Sequence, residues 1–285
     1  MPSASSSSPY PPPKRRAATG LLVLAAGAGV VGVVVVALRS PAAPATAPAP
    51  SAAVVAPPPP SATIATIPAR ARAITPEISA ADDEDVALEV FSLRVAETHI
   101  DVVDLAMGRD LAAALAQRSA SLAVNGGYFA PSTEAEGLVI VGGHTLSPFS
   151  PTLGGGVVVV RGGRAELRDA IGFSPPNDAD FAIQARPRLV VAGAVNLHGD
   201  DGRKAERTAL CVLDEGRRIE VVVAHGKTGP TLTLLAEMLV SRGCEDALNL
   251  DGGPSTGAAW QGAERVEVRP PRAGIRHALT FRLEP

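Results

Sequence analysis

Between Ser40 and Ala73 the chain reads SPAAPATAPAPSAAVVAPPPPSATIATIPARARA, and that stretch limits what the remainder can become. Each proline fixes φ and lacks an N–H donor, so neither a helix nor a sheet ladder runs through it. Such a run favours extended polyproline geometry and forms no core. It reads as a semi-rigid stalk. The acidic DDED, Asp82 to Asp85, marks its far edge, so a disordered linker is assigned to 39–85 and the folded part to 86–285.

A different segment lies before the stalk. Lys14, Arg15 and Arg16 end a basic tail over 1–16, an uncharged stretch follows from Ala17 to Leu38, and Arg39 closes it. As a helix this stretch would reach about 33 Å, against a hydrocarbon core of about 30 Å. A cleavable signal has a shorter apolar core, about 7–15 residues. The pattern predicts an uncleaved transmembrane anchor over 17–38, with the basic tail cytoplasmic and the rest outside. A cleaved signal, giving a secreted protein, is the alternative. No cysteine stands at the end of the apolar run, which excludes a lipoprotein anchor. Cys211 and Cys244 are the chain's two cysteines. In an exported protein they either pair or remain buried thiols, and their spacing does not decide.

From Val86 the texture alternates. VALEVFSLRV, HIDVVDL, SLAVN, DFAIQ, RLVVAG, DALNL and HALTFRL read as strands. GGGVVVVRGGRAELRD and RTALCVLDEGRRIEVVVAHG read as hairpins, the second turning at Asp214-Glu215-Gly216. DLAAALAQR and TLTLLAEMLVSRGC have helical spacing, with Gly243 as the stop of the second. The expectation is an α+β domain, a mostly antiparallel sheet with two principal helices. A net charge of −3 and 3% aromatic residues point away from nucleic acid.

Two apolar strands each run into a glycine turn behind a polar residue: AVNGGYF, Ala123 to Phe129, and LNLDGGPST, Leu248 to Thr256. Such strand ends expose polar side chains and backbone N–H groups at a sheet rim, and glycine lets a ligand approach the main chain. These stretches, with ERTAL between them and the TLTLLAEML…GC helix before the second, resemble the phosphodiester glycosidase domain family. GLVI and QARPRLVV sit where that family has its own Gly-Leu and Gln…Pro-Leu segments. The resemblance spans roughly Leu122 to Leu283. Two departures stand out: the family's triple glycine is here Gly252-Gly253-Pro254, and an arginine flanks each side of Pro187.

The resemblance implies a hydrolase acting on a phosphodiester-linked sugar. Its leaving group, a phosphate monoester, is a weak base, so protonating it matters less than in ordinary glycoside hydrolysis. The site should hold phosphate with cations and N–H donors, and arginine's planar fork suits that task. The expected catalytic set is Asp251 as carboxylate, Arg207 on the phosphate, and Asn125 on a sugar hydroxyl or orienting Asp251. The expected substrate-binding set is Gly126, Gly127, Gln184, Arg186, Arg188, Gly252, Gly253, Ser255 and Thr256, with the four glycines expected to shape the backbone. Asp251 capping its own turn, and solvated arginines, are the simpler alternatives. Carbohydrate or sugar phosphate is the expected partner, with the membrane engaged through the N-terminal helix. No cofactor is expected; a divalent cation held by Asp251 and nearby carbonyls is the one alternative, and no histidine pair has zinc spacing. GPSTG, Gly253 to Gly257, matches a serine nucleophile elbow, but AAWQGAERVEV after it reads as a hairpin and not the required helix. A non-catalytic module binding cell-envelope carbohydrate is the alternative function.

Overall fold

The computed structural model describes residues 71–80, 85–199 and 202–284. The basic tail, the expected span over 17–38 and most of the stalk lie outside those residues. Among the described residues, no helix is long and apolar enough to cross a membrane.

Three sheets, antiparallel at every pairing, make the domain. The first has seven strands in the order β1 (Glu77–Ala80), β2 (Val86–Arg94), β13 (Arg218–Gly226), β12 (Arg207–Leu213), β14 (Asp246–Asn249), β10 (Arg188–Val191) and β11 (Ala194–Val195). The second runs β16 (Val266–Arg269), β15 (Ala258–Gln261), β4 (Leu122–Asn125), β17 (His277–Leu283) and β3 (Thr98–Asp104). The third runs β6 (His144–Ser147), β5 (Val139–Val141), β9 (Phe181–Ala185), β7 (Gly156–Arg161) and β8 (Arg164–Asp169). Two α-helices accompany them, α1 (Leu111–Gln117) and α2 (Leu232–Ser241). The α+β expectation holds.

One core joins all three sheets. Phe91 of the first, Phe281 of the second and Phe181 of the third meet in it, together with Leu210, Val212 and Leu248. Because successive strand residues point to opposite faces, Ala209, Cys211 and Leu213 turn the other way, onto Leu235, Ala236 and Leu239 of α2. Both faces of β12 are therefore dry, which is why TALCVL is a continuous apolar run. The Thr231 hydroxyl caps α2 by accepting from Leu234 N at 3.1 Å. After α2, Gly243 takes φ +84°, the left-handed stop expected of it.

Two points left open or misassigned by sequence are decided here. Cys211 and Cys244 form a disulfide, Cα–Cα 5.8 Å, tying the segment after α2 to β12. The linker also ends earlier than 85. Glu77–Ala80 is an edge strand paired with β2, and Ile74 N donates to Gln261 O at 2.8 Å. The reason it escaped notice is physical: three of its four side chains are exposed, so main-chain pairing holds it without an alternating apolar pattern.

Candidate active site

β14 is the strand that carries the site, because it has a neighbour on each side. On one side β12 pairs Ala209 with Asn249, and the ladder continues past the strand end through Leu250 N to Thr208 O at 2.8 Å and Gly253 N to Glu206 O at 2.7 Å. That register puts Arg207 level with Asp251. On the other side Asn249 N donates to Pro187 O at 3.0 Å, which brings Arg186, on the β9–β10 turn, beside the same strand end. Two guanidinium-bearing residues thus flank the segment that delivers Asp251.

The second sheet closes over it. Asn125 ends β4, and its Nδ2 donates to the Asp251 carbonyl at 2.8 Å across 126 positions of chain. Asp251 N returns a bond to Gly126 O at 3.3 Å. The Asn125 Oδ1 accepts from Thr208 Oγ1 at 2.6 Å and Gly257 N at 3.2 Å. The two glycine turns are therefore one structure, and Asn125 is its joint. Its Nδ2 is taken up by the Asp251 and Gly126 carbonyls.

Asp251 is half-buried. Its Oδ1 accepts from Gly252 N at 2.8 Å. Burial pushes the carboxyl above its ordinary range, and hydrogen bonds from Ser255 and Gly252 pull it partway back. Ser255 is buried against that carboxylate, in a short 3-10 turn over Gly253–Ser255 that leads into strand β15. The strand–turn–helix of a nucleophile elbow is not formed.

The glycines differ in what they do. An added Cβ at Gly126 would lie 2.2 Å from His277 Cδ2, so only glycine fits. Gly253 sits at φ +61°, in the left-handed region. At Gly252 a Cβ would come within 3.1 Å of Glu206 O. Gly127 has room, its nearest atom 3.4 Å away, so the expectation that its backbone shape needs glycine is corrected.

Not every expected residue joins the cluster. Gln184 is buried with its amide saturated: Oε1 accepts from Leu138 N and Ser150 N, and Nε2 donates to Ser150 O and Gly154 O. It stitches the 148–155 loop instead of facing a ligand. Arg188 ion-pairs with Asp169 on β8. Thr256 turns inward, its hydroxyl buried with no hydrogen-bond partner.

Four residues of the cluster were not expected. Tyr128 Oη donates to Arg186 O at 2.8 Å and lies 3.2 Å from Leu250 O. Asn249 Nδ2 donates to Tyr128 Oη at 3.0 Å. Tyr128 and Asn249 sit inside the two glycine-turn motifs, and strand alternation places Asn249 on the face of Asp251. Thr208 follows Arg207 directly. His277 had no such signal: it is 150 positions from Gly127, whose N–H it accepts on Nε2 at 3.2 Å. Burial drives its pKa down to about 4, so the ring is neutral with its proton on Nδ1. His277 also lines a cavity of about 450 Å³ with Arg118 and Arg276. Asp251, Arg186 and Arg207 are not on that wall; Arg186 is exposed, and Asp251 and Arg207 are half-buried.

The phosphodiester glycosidase (NAGPA) family model matches residues 118–279. Among curated protein sequences, none matches the chain. Several solved structures share the fold, three of which follow. The catalytic domain of zebrafish N-acetylglucosamine-1-phosphodiester alpha-N-acetylglucosaminidase, auto-inhibited by its pro-peptide, aligns at TM-score 0.56 and 18% identity over 74% of this chain and 82% of that one. A Burkholderia pseudomallei protein aligns at 0.52 and 15%, covering 70% and 74%. A Synechocystis protein aligns at 0.51 and 16%, covering 73% of this chain but only 61% of its own length.

Proposed function

The chain belongs to the phosphodiester glycosidase family, and on that premise we propose that its domain hydrolyses a sugar-1-phosphodiester, or a related glycosidic bond, in a cell-surface glycan or exopolysaccharide. The observation that carries the reading is the placement of Asp251 between Arg186 and Arg207 at the end of β14. Among the described residues, no carboxylate pairs with Arg186, so its charge is not already neutralised by an acid when a phosphate arrives. By contrast Arg188, Arg269 and Arg272 hold Asp169, Glu89 and Glu206.

The chemistry follows from the charges. Arg186 and Arg207 grip the phosphate, which keeps its negative charge as a leaving group and needs little protonation. Water attacks the anomeric carbon, the bond from that carbon to the phosphate oxygen breaks, and Asp251 takes the proton of the attacking water. Burial raises the carboxyl and so makes it a stronger base than an exposed aspartate. Asn125 holds the Asp251 backbone in place while this happens.

The domain works outside the cytoplasm. A disulfide at Cys211–Cys244 supports an oxidising compartment, and the basic–apolar pattern of residues 1–39 supports a membrane anchor. The experiment is incubation of the protein with sugar-1-phosphodiesters. Free sugar should appear, and Asp251→Asn should abolish its release while the folded spectrum is retained. Binding without release by the wild type would replace this reading with a carbohydrate-binding module.

A further inference from the structure

We propose that Tyr128 is the positioning residue that sets the Arg186 guanidinium for a substrate phosphate. The inference rests on the reading that Arg186 grips phosphate. Arg186 is exposed and stands on the β9–β10 turn. A long side chain there loses considerable rotamer entropy when it is ordered on a ligand, unless it is ordered beforehand.

Tyr128 orders it in two ways. Its ring lies under the guanidinium, 5.9 Å from centroid to Cζ, a cation–π distance. Its hydroxyl donates to the carbonyl of Arg186 itself, at 2.8 Å, and reaches the Leu250 carbonyl at 3.2 Å. One side chain therefore ties the arginine's backbone to the residue before Asp251 and supports its charged head.

Asn249 completes the fastening. Its Nδ2 reaches the same two carbonyls, Arg186 O at 3.0 Å and Leu250 O at 2.7 Å, and donates to the Tyr128 oxygen. The Tyr128 hydroxyl has both a donor and acceptors, so it is locked in orientation. Burial and the nearby charge of Asp251 push its pKa up to about 12, and it stays a donor at any working pH.

The test uses the full chain with Tyr128→Phe, Tyr128→Leu, Arg186→Ala and the Tyr128→Phe/Arg186→Ala double variant. Kinetics are measured on a sugar-1-phosphodiester, with calorimetric binding of the sugar 1-phosphate. Tyr128→Phe keeps the ring and leaves Asn249 on both carbonyls, so the melting temperature should hold. KM should rise about tenfold with kcat little changed, because alignment of the phosphate group is lost. Tyr128→Leu, which also removes the ring, should raise KM further. Arg186→Ala should raise KM, and adding Tyr128→Phe to it should do nothing more. Overturning results are a Tyr128→Phe enzyme with wild-type KM, effects of the two substitutions that multiply, or a loss that falls on kcat together with melting temperature. A wild type that neither turns over nor binds would remove the functional reading and this inference with it. An active wild type beside an unaffected Tyr128→Phe would remove this inference alone.

Discussion

Replacing Asn125 with alanine should unfasten the joint between the two glycine turns. Asn125 is 1% exposed. Its side chain donates to Asp251 O at 2.8 Å and accepts from Thr208 Oγ1 at 2.6 Å and Gly257 N at 3.2 Å. Truncation leaves a hydroxyl, an N–H and a carbonyl unpaired in a dry interior. Each such group costs about 1–3 kcal/mol, and with the Thr208 hydroxyl free to rotate the other two sum to about 2–6 kcal/mol. Domains have only about 5–15 kcal/mol in hand. Urea unfolding followed by circular dichroism should show that loss, and the melting temperature should fall by roughly 4–24 °C. Asn125→Asp is the sharper variant. It keeps both acceptor roles but turns a carboxylate oxygen toward the Asp251 carbonyl, so it should be at least as damaging. A loss below about 1 kcal/mol for Asn125→Ala, no more than a single ordinary hydrogen bond, would refute the joint.

Other outcomes follow from the same geometry. Reducing the Cys211–Cys244 bond, which closes 33 positions of chain, should lower stability by about 3–4 kcal/mol; an unchanged melting temperature after verified reduction would count against a stabilising role. His277 is held below its ordinary 6.5, at about 4, so its contribution is complete above pH 6.5 and is lost as pH falls through that window. Stability should drop by about 1.4 kcal/mol per pH unit there from this ring, and nitrogen NMR should find it neutral at pH 5; a protonated ring at that pH would contradict the buried contact with Gly127. Asp251 has the opposite sign. Its raised carboxyl favours the fold at low pH and opposes it as pH rises, so Asp251→Asn should melt at or above the wild-type temperature at neutral pH, and a clearly lower value would argue that the charge is structural.

Much of this molecule is written locally. The alternating strands, the hairpin turning at Asp214 to Gly216, the α2 stop at Gly243 and the two glycine turns all depend on neighbours within a few positions. Sequence periodicity reports those directly. Asp251, Arg207 and Arg186 stood out as candidates for a related reason: each stands at or beside a strand end, where polar side chains can reach a rim. The edge strand Glu77–Ala80 was not legible, because it offers backbone and almost no buried side chain.

Local pattern was enough for the strand-rich α+β domain and for the two glycine-turn motifs that meet around Asp251. Only the tertiary structure decided which polar side chains are used up inside the fold. Gln184 and Asp251 both follow apolar strand residues, yet one has every hydrogen-bonding position filled by a loop and the other stays half-open. Whether Cys211 and Cys244 pair or stay as buried thiols was open until the fold set their Cα atoms 5.8 Å apart. Registers between strands distant in sequence settle such matters, and a register is set by side-chain packing on both faces at once, which no local window of residues contains.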